Sequence, residues 1–250
     1  MARDTGPNRN DSRHSAIVDL VVANKILSRK GILDAFGHAS IRHPANPDRF
    51  IMARSHLASA LVTEDDLVEY DFDANALTKP GVHSHSERYI HAEIYRARVD
   101  VGAVIHSHSP NVVPFGVVAD VRLQPVYHMA GFLTAGTPVF EIREVAGRGS
   151  NMLVDDPKRG KALVATLGDK PIVLMRGHGN TVVAGNIRQA TFRAIYTEIA
   201  AQLQLQAMVI AGGKPVNYLT PEEGDAIGGR STGGGTNRAW ALWESEIADG

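Results

Sequence analysis

The segment from Ala103 to Pro110 constrains this chain most, because it combines a buried-strand pattern with two evenly spaced histidines. Small and β-branched residues run up to His106, which is followed by a serine and then by His108. Residues two apart on an extended backbone point to the same side, so both imidazoles face one way, and Pro110 prevents regular pairing soon afterwards. Two such imidazoles favour a divalent metal site, but a pair of ordinary loop histidines fits this motif equally well when it is taken alone.

The length of the chain predicts one large domain. Its 250 residues, 44% of them apolar, are enough for an α/β domain with a well-buried core. Residues 1–10 predict a disordered arm, residues 11–223 the domain itself, and residues 224–250 a glycine-rich segment with a C-terminal helix. We find no repeat with the 20–50-residue period of a solenoid and no second domain.

Apolar periodicity and turn residues divide the domain into helices and strands. Helices are predicted from residue 11 or 12 to 31, from 84 to about 98, from 156 to 168, from 186 to about 211, and briefly from 220. Residues 34–42 are predicted to form a glycine-containing turn that leads into a strand. Further strands are predicted at 50–53, 67–71, 103–108, 138–142, 171–175 and 181–184.

A third histidine and a glutamate extend the candidate metal site. The apolar run at 171–175 also leads into a histidine, His178, whose two neighbouring glycines permit close backbone approach. Glu87 stands at a predicted helix start, where it is either a ligand or one half of a capping box with Ser84. Three imidazoles and one carboxylate suit Zn2+, Mn2+, Fe2+ or Co2+, and the absence of cysteine leaves His, Asp and Glu as the candidate ligands.

These motifs, in this order, resemble the class II aldolase/adducin family. The resemblance covers residues 19–211 and rests on Glu87-x3-His91, Arg98-x-Asp100-x4-Ile105-His106-x-His108 and Gly177-His178-Gly179. It implies a three-layer α/β/α sandwich around a mostly antiparallel central sheet, and a homotetramer with active sites between subunits. It also implies one divalent metal per subunit, Zn2+ or Mn2+ with Fe2+ or Co2+ as alternatives, bound by His106, His108 and His178, with Glu87 as fourth ligand or acid/base.

Departures from the sugar-phosphate aldolases narrow the expected reaction. Their phosphate-holding segments correspond here to Gly37-His38-Ala39-Ser40, Arg54-Ser55-His56 and His85-Ser86-Glu87, so a phosphate cradle is in doubt. The remaining motifs, including residues 127–132, are similar to the decarboxylase branch, which includes hydroxypyridine-dicarboxylate and dihydroxyphthalate decarboxylases. The resemblance therefore implies metal-dependent, non-oxidative decarboxylation of a hydroxylated aromatic or heteroaromatic carboxylate. A class II aldolase or sugar-acid-phosphate decarboxylase is the alternative, and a non-catalytic module like the adducin head is a third.

Decarboxylation and retro-aldol cleavage both leave electron density that must settle on an oxygen as an enolate, and a metal stabilises that charge. For the protonation step the candidates are Glu87, His128 and Tyr127. For substrate binding they are His38, Ser40, His56 and Arg54, the last as a bidentate carboxylate ligand. We expect His91 to pack or to hydrogen-bond beside the site, and we expect surface positions for His14, His43, His83 and His85.

Composition and charge exclude several classes of partner. A net charge of -1 favours neither nucleic acid nor an anionic membrane. The polar first 13 residues contain no apolar region typical of a secretory signal, and no stretch approaches the roughly 20 apolar residues of a membrane span. We therefore expect a cytoplasmic enzyme whose substrate is a small molecule. Near its end, Arg238, Trp240 and Trp243 either dock a terminal helix onto the domain or form a lid.

Overall fold

The computed structural model describes residues 9–231 and 234–248, and within them a seven-stranded sheet forms the centre of the fold. Its strands are β1 (His38–Arg42), β2 (Arg49–Ala53), β3 (Leu67–Asp71), β4 (Ala103–Ser107), β5 (Val139–Phe140), β6 (Ile172–Met175) and β7 (Gly179–Ala184). They lie in the order β3-β2-β1-β4-β7-β6-β5. Every neighbouring pair is antiparallel except β5 with β6, so the expected mostly antiparallel sheet is confirmed.

Helices cover both faces of the sheet. They are α1 (Arg9–Arg29), α2 (Arg88–Ala97), α3 (Arg143–Ala146), α4 (Pro157–Leu167), α5 (Ile187–Ala211), α6 (Pro221–Ser231) and α7 (Gly234–Ala248). One apolar cluster joins α1, α5 and α7 to one face, and a second joins α2 and α4 to the other. The three-layer α/β/α sandwich is thereby confirmed.

Strand β4 lies in the middle of this arrangement. All five of its residues are buried, because β1 and β7 pair with its two edges while helices cover its two faces. His106 stands opposite His38 on β1 and Thr181 on β7. The strand therefore carries one imidazole into the interior and ends just before a second one, His108.

Capping residues explain where two helices begin. The side chain of Asp156 accepts a hydrogen bond from the backbone N–H of Arg159 before α4, and Asn186 accepts one from Gln189 before α5. The helix predicted from residue 84 begins only at Arg88, and residues 83–87 form a non-helical segment that leads into α2.

The C-terminal region is more ordered than its glycine content predicts. The described part of 228–236 is helical, in α6 and α7, whereas 232–233 and most of the predicted arm (1–8) lie outside the described residues. Trp240 and Trp243 are 1% and 5% exposed and pack against α1 and α5. Burial of two large aromatic surfaces outweighs the low helix propensity of glycine, so the terminal helix is docked and the lid interpretation is wrong. Within the described chain, no helix is both long and apolar enough to cross a membrane.

Candidate metal centre

Four side chains from three parts of the fold converge at one corner of the sheet. His106 and His108 come from the end of β4, His178 from the turn between β6 and β7, and Glu87 from the residue before α2. One ligand atom from each of the four lies within 4.8 Å of the others. Glu87 and His106 are buried, whereas the side chain of His108 is 23% exposed, so the cluster opens to solvent on the side of His108.

Local backbone geometry permits this convergence. Gly177 has φ +64°, a left-handed conformation that glycine adopts without a Cβ clash. A Cβ at residue 179 would lie 2.1 Å from the carbonyl oxygen of Ser107, so only glycine allows β7 to pair this closely beside β4. The two glycines thus turn His178 toward the end of β4, as the sequence predicted.

Each imidazole is held through its Nδ1 atom by an oxygen that can only accept. The acceptors are the Asn180 carbonyl for His106 (3.1 Å), Asp34 Oδ2 for His108 (3.0 Å) and the Met152 carbonyl for His178 (3.1 Å). Each Nδ1 therefore carries the proton, and in the neutral ring the Nε2 lone pair is free to bind a metal.

The Nε2 atoms converge without satisfying one another. Nε2 of His108 and Nε2 of His178 are 3.1 Å apart, and two lone pairs at that distance repel unless a cation or a proton lies between them. Nε2 of His106 is buried and has no hydrogen-bond partner among the described residues. Glu87 Oε2 lies 3.6 Å from Nε2 of His106 and 3.4 Å from Nε2 of His178. The residues present therefore fit a divalent cation.

Glu87 is ionised in this surrounding. Burial raises the pKa of its carboxyl, but the neighbouring imidazoles of His106 and His178 and the N–H of Val154 together lower that pKa to about 2. Burial lowers the pKa of His106, so its ring is neutral at pH 7. The Glu87 side chain makes no capping bond to α2, and the Ser84 hydroxyl is instead 2.9 Å from the Tyr70 hydroxyl. The capping-box interpretation is thus wrong.

Further histidines lie directly behind the cluster. His91 is fully buried and hydrogen-bonds to His38 and Ser40, as expected for a residue packed beside the site. His85 is half-buried, with its ring centroid 4.7 Å from that of His38, so its predicted surface position is wrong. His43 is also buried, at 6% exposure, so its predicted surface position is wrong; its Nδ1 accepts backbone N–H groups of the following turn. His14 and His83 are exposed, as predicted.

The four candidate substrate-binding residues occupy different environments. Ser40 is fully buried, and its hydroxyl is 2.6 Å from His91 and 2.8 Å from the Tyr95 hydroxyl, so it has no open side for a substrate. The predicted direct contact of Ser40 with substrate is therefore not supported. His38 keeps 4% of its surface exposed beside His106.

The other two substrate-binding candidates lie nearer the surface. Arg54 pairs with Asp66 at 2.9 Å, which occupies part of the guanidinium. His56 is exposed, at φ 60°, with its ring centroid 4.8 Å from that of His83. Neither residue is brought into the metal cluster by a described contact.

Tyr127 and His128 are not joined to the metal cluster by any contact of the described residues. Their rings contact each other, with centroids 5.3 Å apart, and Tyr127 also contacts Tyr196 of α5. His128 opens a 3-10 segment, His128–Ala135, and is exposed.

Sequence reasoning assigned no role to Asp34, which holds His108. Asp34 Oδ1 accepts the N–H groups of Phe36 and Gly37, each at 2.9 Å, while Oδ2 faces His108. The Asp-x-x-Gly turn is readable from sequence as an Asx turn. Its contact with a histidine 74 positions away is not.

Known proteins resemble this chain over most of its length. Residues 18–205 match the family model described as the class II aldolase and adducin N-terminal domain. The decarboxylase tropJ of Talaromyces stipitatus is 34% identical, covering 90% of this chain and 91% of the relative. A 3,4-dihydroxyphthalate decarboxylase of Arthrobacter keyseri is 31% identical, covering 78% and 79%. Among solved structures, L-fuculose 1-phosphate aldolase of Glaciozyma antarctica PI12 has a TM-score of 0.77 at 21% identity, covering 98% and 93%, which shows a shared fold.

Proposed function

Because the chain belongs to the class II aldolase and adducin family, we propose that it is a divalent-metal-dependent, non-oxidative decarboxylase of a hydroxylated aromatic or heteroaromatic carboxylate. Decarboxylation is favoured over aldol cleavage by relatives named as decarboxylases, at 34% and 31% identity. The enzyme is accordingly a carbon–carbon lyase of the carboxy-lyase type. The expected similarity to the decarboxylase branch is confirmed.

One observation carries the metal dependence, namely one ring nitrogen from each of three histidines and one carboxylate oxygen, all within 4.8 Å of one another. His106, His108, His178 and Glu87 would hold the cation. A divalent cation would supply Lewis acidity there, which favours the build-up of negative charge on the substrate when CO2 leaves. This donor set accepts Zn2+, Mn2+, Fe2+ or Co2+.

The protonation state of Glu87 supports a ligand role over a proton-donor role. A carboxyl group whose pKa is about 2 carries no proton to donate at pH 7. Its Oε1 is also fixed by the N–H of Val154 at 2.9 Å, which aims Oε2 at the imidazoles. The negative charge of Glu87 would partly offset that of a bound dication.

Tyr127 and His128 remain candidates for proton transfer only in an assembly, because no described contact joins them to the cluster of their own chain. We propose a homotetramer in which a neighbouring subunit brings them to the site. Phe36, 72% exposed and two residues beyond Asp34, is an apolar side chain available for such an interface. Light scattering gives the mass directly, and a monomer with full activity would exclude this role for both residues.

The test of the proposed function is a comparison of two reactions. Protein loaded with Zn2+, Mn2+, Fe2+ or Co2+ is incubated with 3,4-dihydroxyphthalate, with other hydroxyaryl carboxylates and, separately, with L-fuculose 1-phosphate. We expect CO2 from an aromatic acid, abolished by chelation and restored by metal. Aldehyde release without CO2 would replace the proposal with an aldolase. Absence of stoichiometric metal after loading would favour the non-catalytic, adducin-like alternative.

A further inference from the structure

A chain of four buried side chains runs away from the metal cluster and is not needed to bind metal. It begins at His38, opposite His106 on the neighbouring strand. Nδ1 of His38 is 2.7 Å from Nε2 of His91, and Nδ1 of His91 is 2.6 Å from the Ser40 hydroxyl. The Ser40 hydroxyl is in turn 2.8 Å from that of Tyr95. His38 is 4% exposed and the other three are 0% exposed.

Counting protons gives this chain a direction. The Tyr95 hydroxyl is fully buried, so its proton needs an acceptor within the protein. Among the described residues that acceptor is the Ser40 oxygen. The single proton of Ser40 then goes to Nδ1 of His91. The reverse direction would leave the buried phenol proton without an acceptor, which is unfavourable in an interior.

The direction fixes which nitrogen of each ring carries hydrogen. Both imidazoles are neutral, because each has a ring nitrogen that accepts a hydrogen bond, Nδ1 of His91 from Ser40 and Nδ1 of His38 from His91. With Nδ1 of His91 accepting from Ser40, its proton lies on Nε2 and is donated to Nδ1 of His38. The proton of His38 therefore lies on its own Nε2, to which no described residue hydrogen-bonds.

We propose that His91, Ser40 and Tyr95 are positioning residues that hold His38 with its proton on Nε2, so that His38 donates a hydrogen bond to a carboxylate or phenolate oxygen of substrate bound beside His106. The ring centroids of His38 and His106 are 5.1 Å apart, which places this donor next to the metal cluster. A fixed donor aimed at developing negative charge costs no reorganisation during the reaction. The identity of the acceptor rests on the proposed function, whereas the direction of the hydrogen-bond chain does not.

The direction can be measured without substrate or metal. In the full-length protein labelled with 15N-histidine, long-range proton–nitrogen spectra separate protonated from unprotonated ring nitrogens. His38→Gln and His91→Gln assign the signals by their disappearance. We expect the proton on Nε2 in both rings, and Ser40→Ala to introduce the other tautomer. A proton on Nδ1 of His38 in the wild type would overturn the proposal.

Kinetics then test the consequence for the substrate. His38→Leu removes the donor, and we expect kcat/KM for 3,4-dihydroxyphthalate to fall about 10-fold or more, the range for a hydrogen bond to a charged group. His38→Gln retains an N–H donor near the position of Nε2 and should recover part of that loss. Equal losses in the two variants, or no loss in either, would contradict a donor role. Bound metal per chain should be unchanged in both.

Ser40→Ala tests positioning, with a matched control. We expect it to lower kcat/KM several-fold with metal content unchanged, and Ser40→Cys, of nearly the same size but a weak donor, serves if the alanine variant does not fold. Thr191→Val removes another fully buried hydroxyl, one without a partner among the described residues, and should leave kcat/KM unchanged. Equal effects of the Ser40 and Thr191 variants would reject positioning. If the wild type releases no CO2, the proposed function fails, while the nitrogen spectra still decide the direction.

Discussion

Asp34→Asn tests how the protein orients a metal ligand. Asp34 Oδ2 accepts the Nδ1 proton of His108 at 3.0 Å, while Oδ1 accepts two backbone N–H groups of the turn. Asparagine has the same shape but only one acceptor oxygen. It therefore sets an amide N–H either against His108 or against the turn. If the amide N–H faces Nδ1 of His108, the imidazole must move, or its proton must shift to Nε2 and remove the lone pair that binds metal.

The expected size of the effect follows from the exposure of this contact. Losing a hydrogen bond that orients a metal ligand typically lowers metal affinity about 10- to 100-fold. The Asp34 side chain is 48% exposed, so solvent screens the interaction and the lower end applies. We therefore expect about a 10-fold weaker affinity for Zn2+ or Mn2+, or about 1.4 kcal/mol.

Chelator competition or isothermal titration measures the affinity directly, and the melting temperature of the metal-free protein reports on folding. Asp100→Asn is the matched control, because it also removes an exposed, paired carboxylate. The Asp100 side chain is 62% exposed and pairs with Arg98, and it precedes the first residue of β4, at the opposite end of that strand from His106. Asp34→Glu keeps the charge but displaces the carboxylate. If Asp34→Asn and Asp100→Asn change metal affinity equally, Asp34 acts only through its charge and the orientation argument is refuted.

Three further predictions concern the cluster, the docked helix and pH. Glu87→Gln keeps an oxygen for the N–H of Val154 but loses the charge beside the imidazoles, so metal affinity should fall while the melting temperature of the metal-free protein changes little. A large drop in that melting temperature with metal affinity unchanged would favour a purely structural role. Trp240→Ala should lower the free energy of unfolding by about 3–5 kcal/mol in denaturant titrations, because a fully buried aromatic ring is lost, whereas a lid residue would alter KM with little change in stability. Hydrogen bonding by Arg143, with help from Arg176, lowers the pKa of Glu141 from an ordinary 4.5 to about 2, so its stabilisation is fully present above pH 4.5 and is lost as pH falls toward 2. Glu141→Gln should therefore lower the melting temperature at pH 7 but progressively less between pH 4.5 and pH 2, and a difference that is constant with pH would contradict this.

Much of the fold was predictable because its signals are local. The predicted strand at 67–71 coincides with β3, and the cap residues Asp156 and Asn186 begin α4 and α5 as expected. These elements depend on periodicity and on hydrogen bonds three residues apart, both of which the sequence displays. The predicted strand at 138–142 shortens to the two residues of β5, because this edge strand pairs only with β6.

The errors share a cause, which is that long-range packing changed a local preference. His43 and His85 lie in polar, turn-like sequence that favours exposure, yet the fold buries His43 and half-buries His85. The glycine-rich region favours disorder by composition, but its helices gain more from packing Trp240 and Trp243 than glycine loses. Ser40 has the residue type of a substrate contact and the burial of an interior one.

The amino-acid sequence alone specifies which groups are available to the site. A His-x-His at a strand end, a histidine between two glycines and no cysteine specify an imidazole-rich site, since strand geometry alone makes two rings face one way. The role of each group depends on the folded chain. The partners of the three Nδ1 atoms, the ionised state of Glu87 and the direction of the hydrogen-bond chain behind His38 all depend on residues many positions apart, and only folding brings their donors and acceptors within bonding distance.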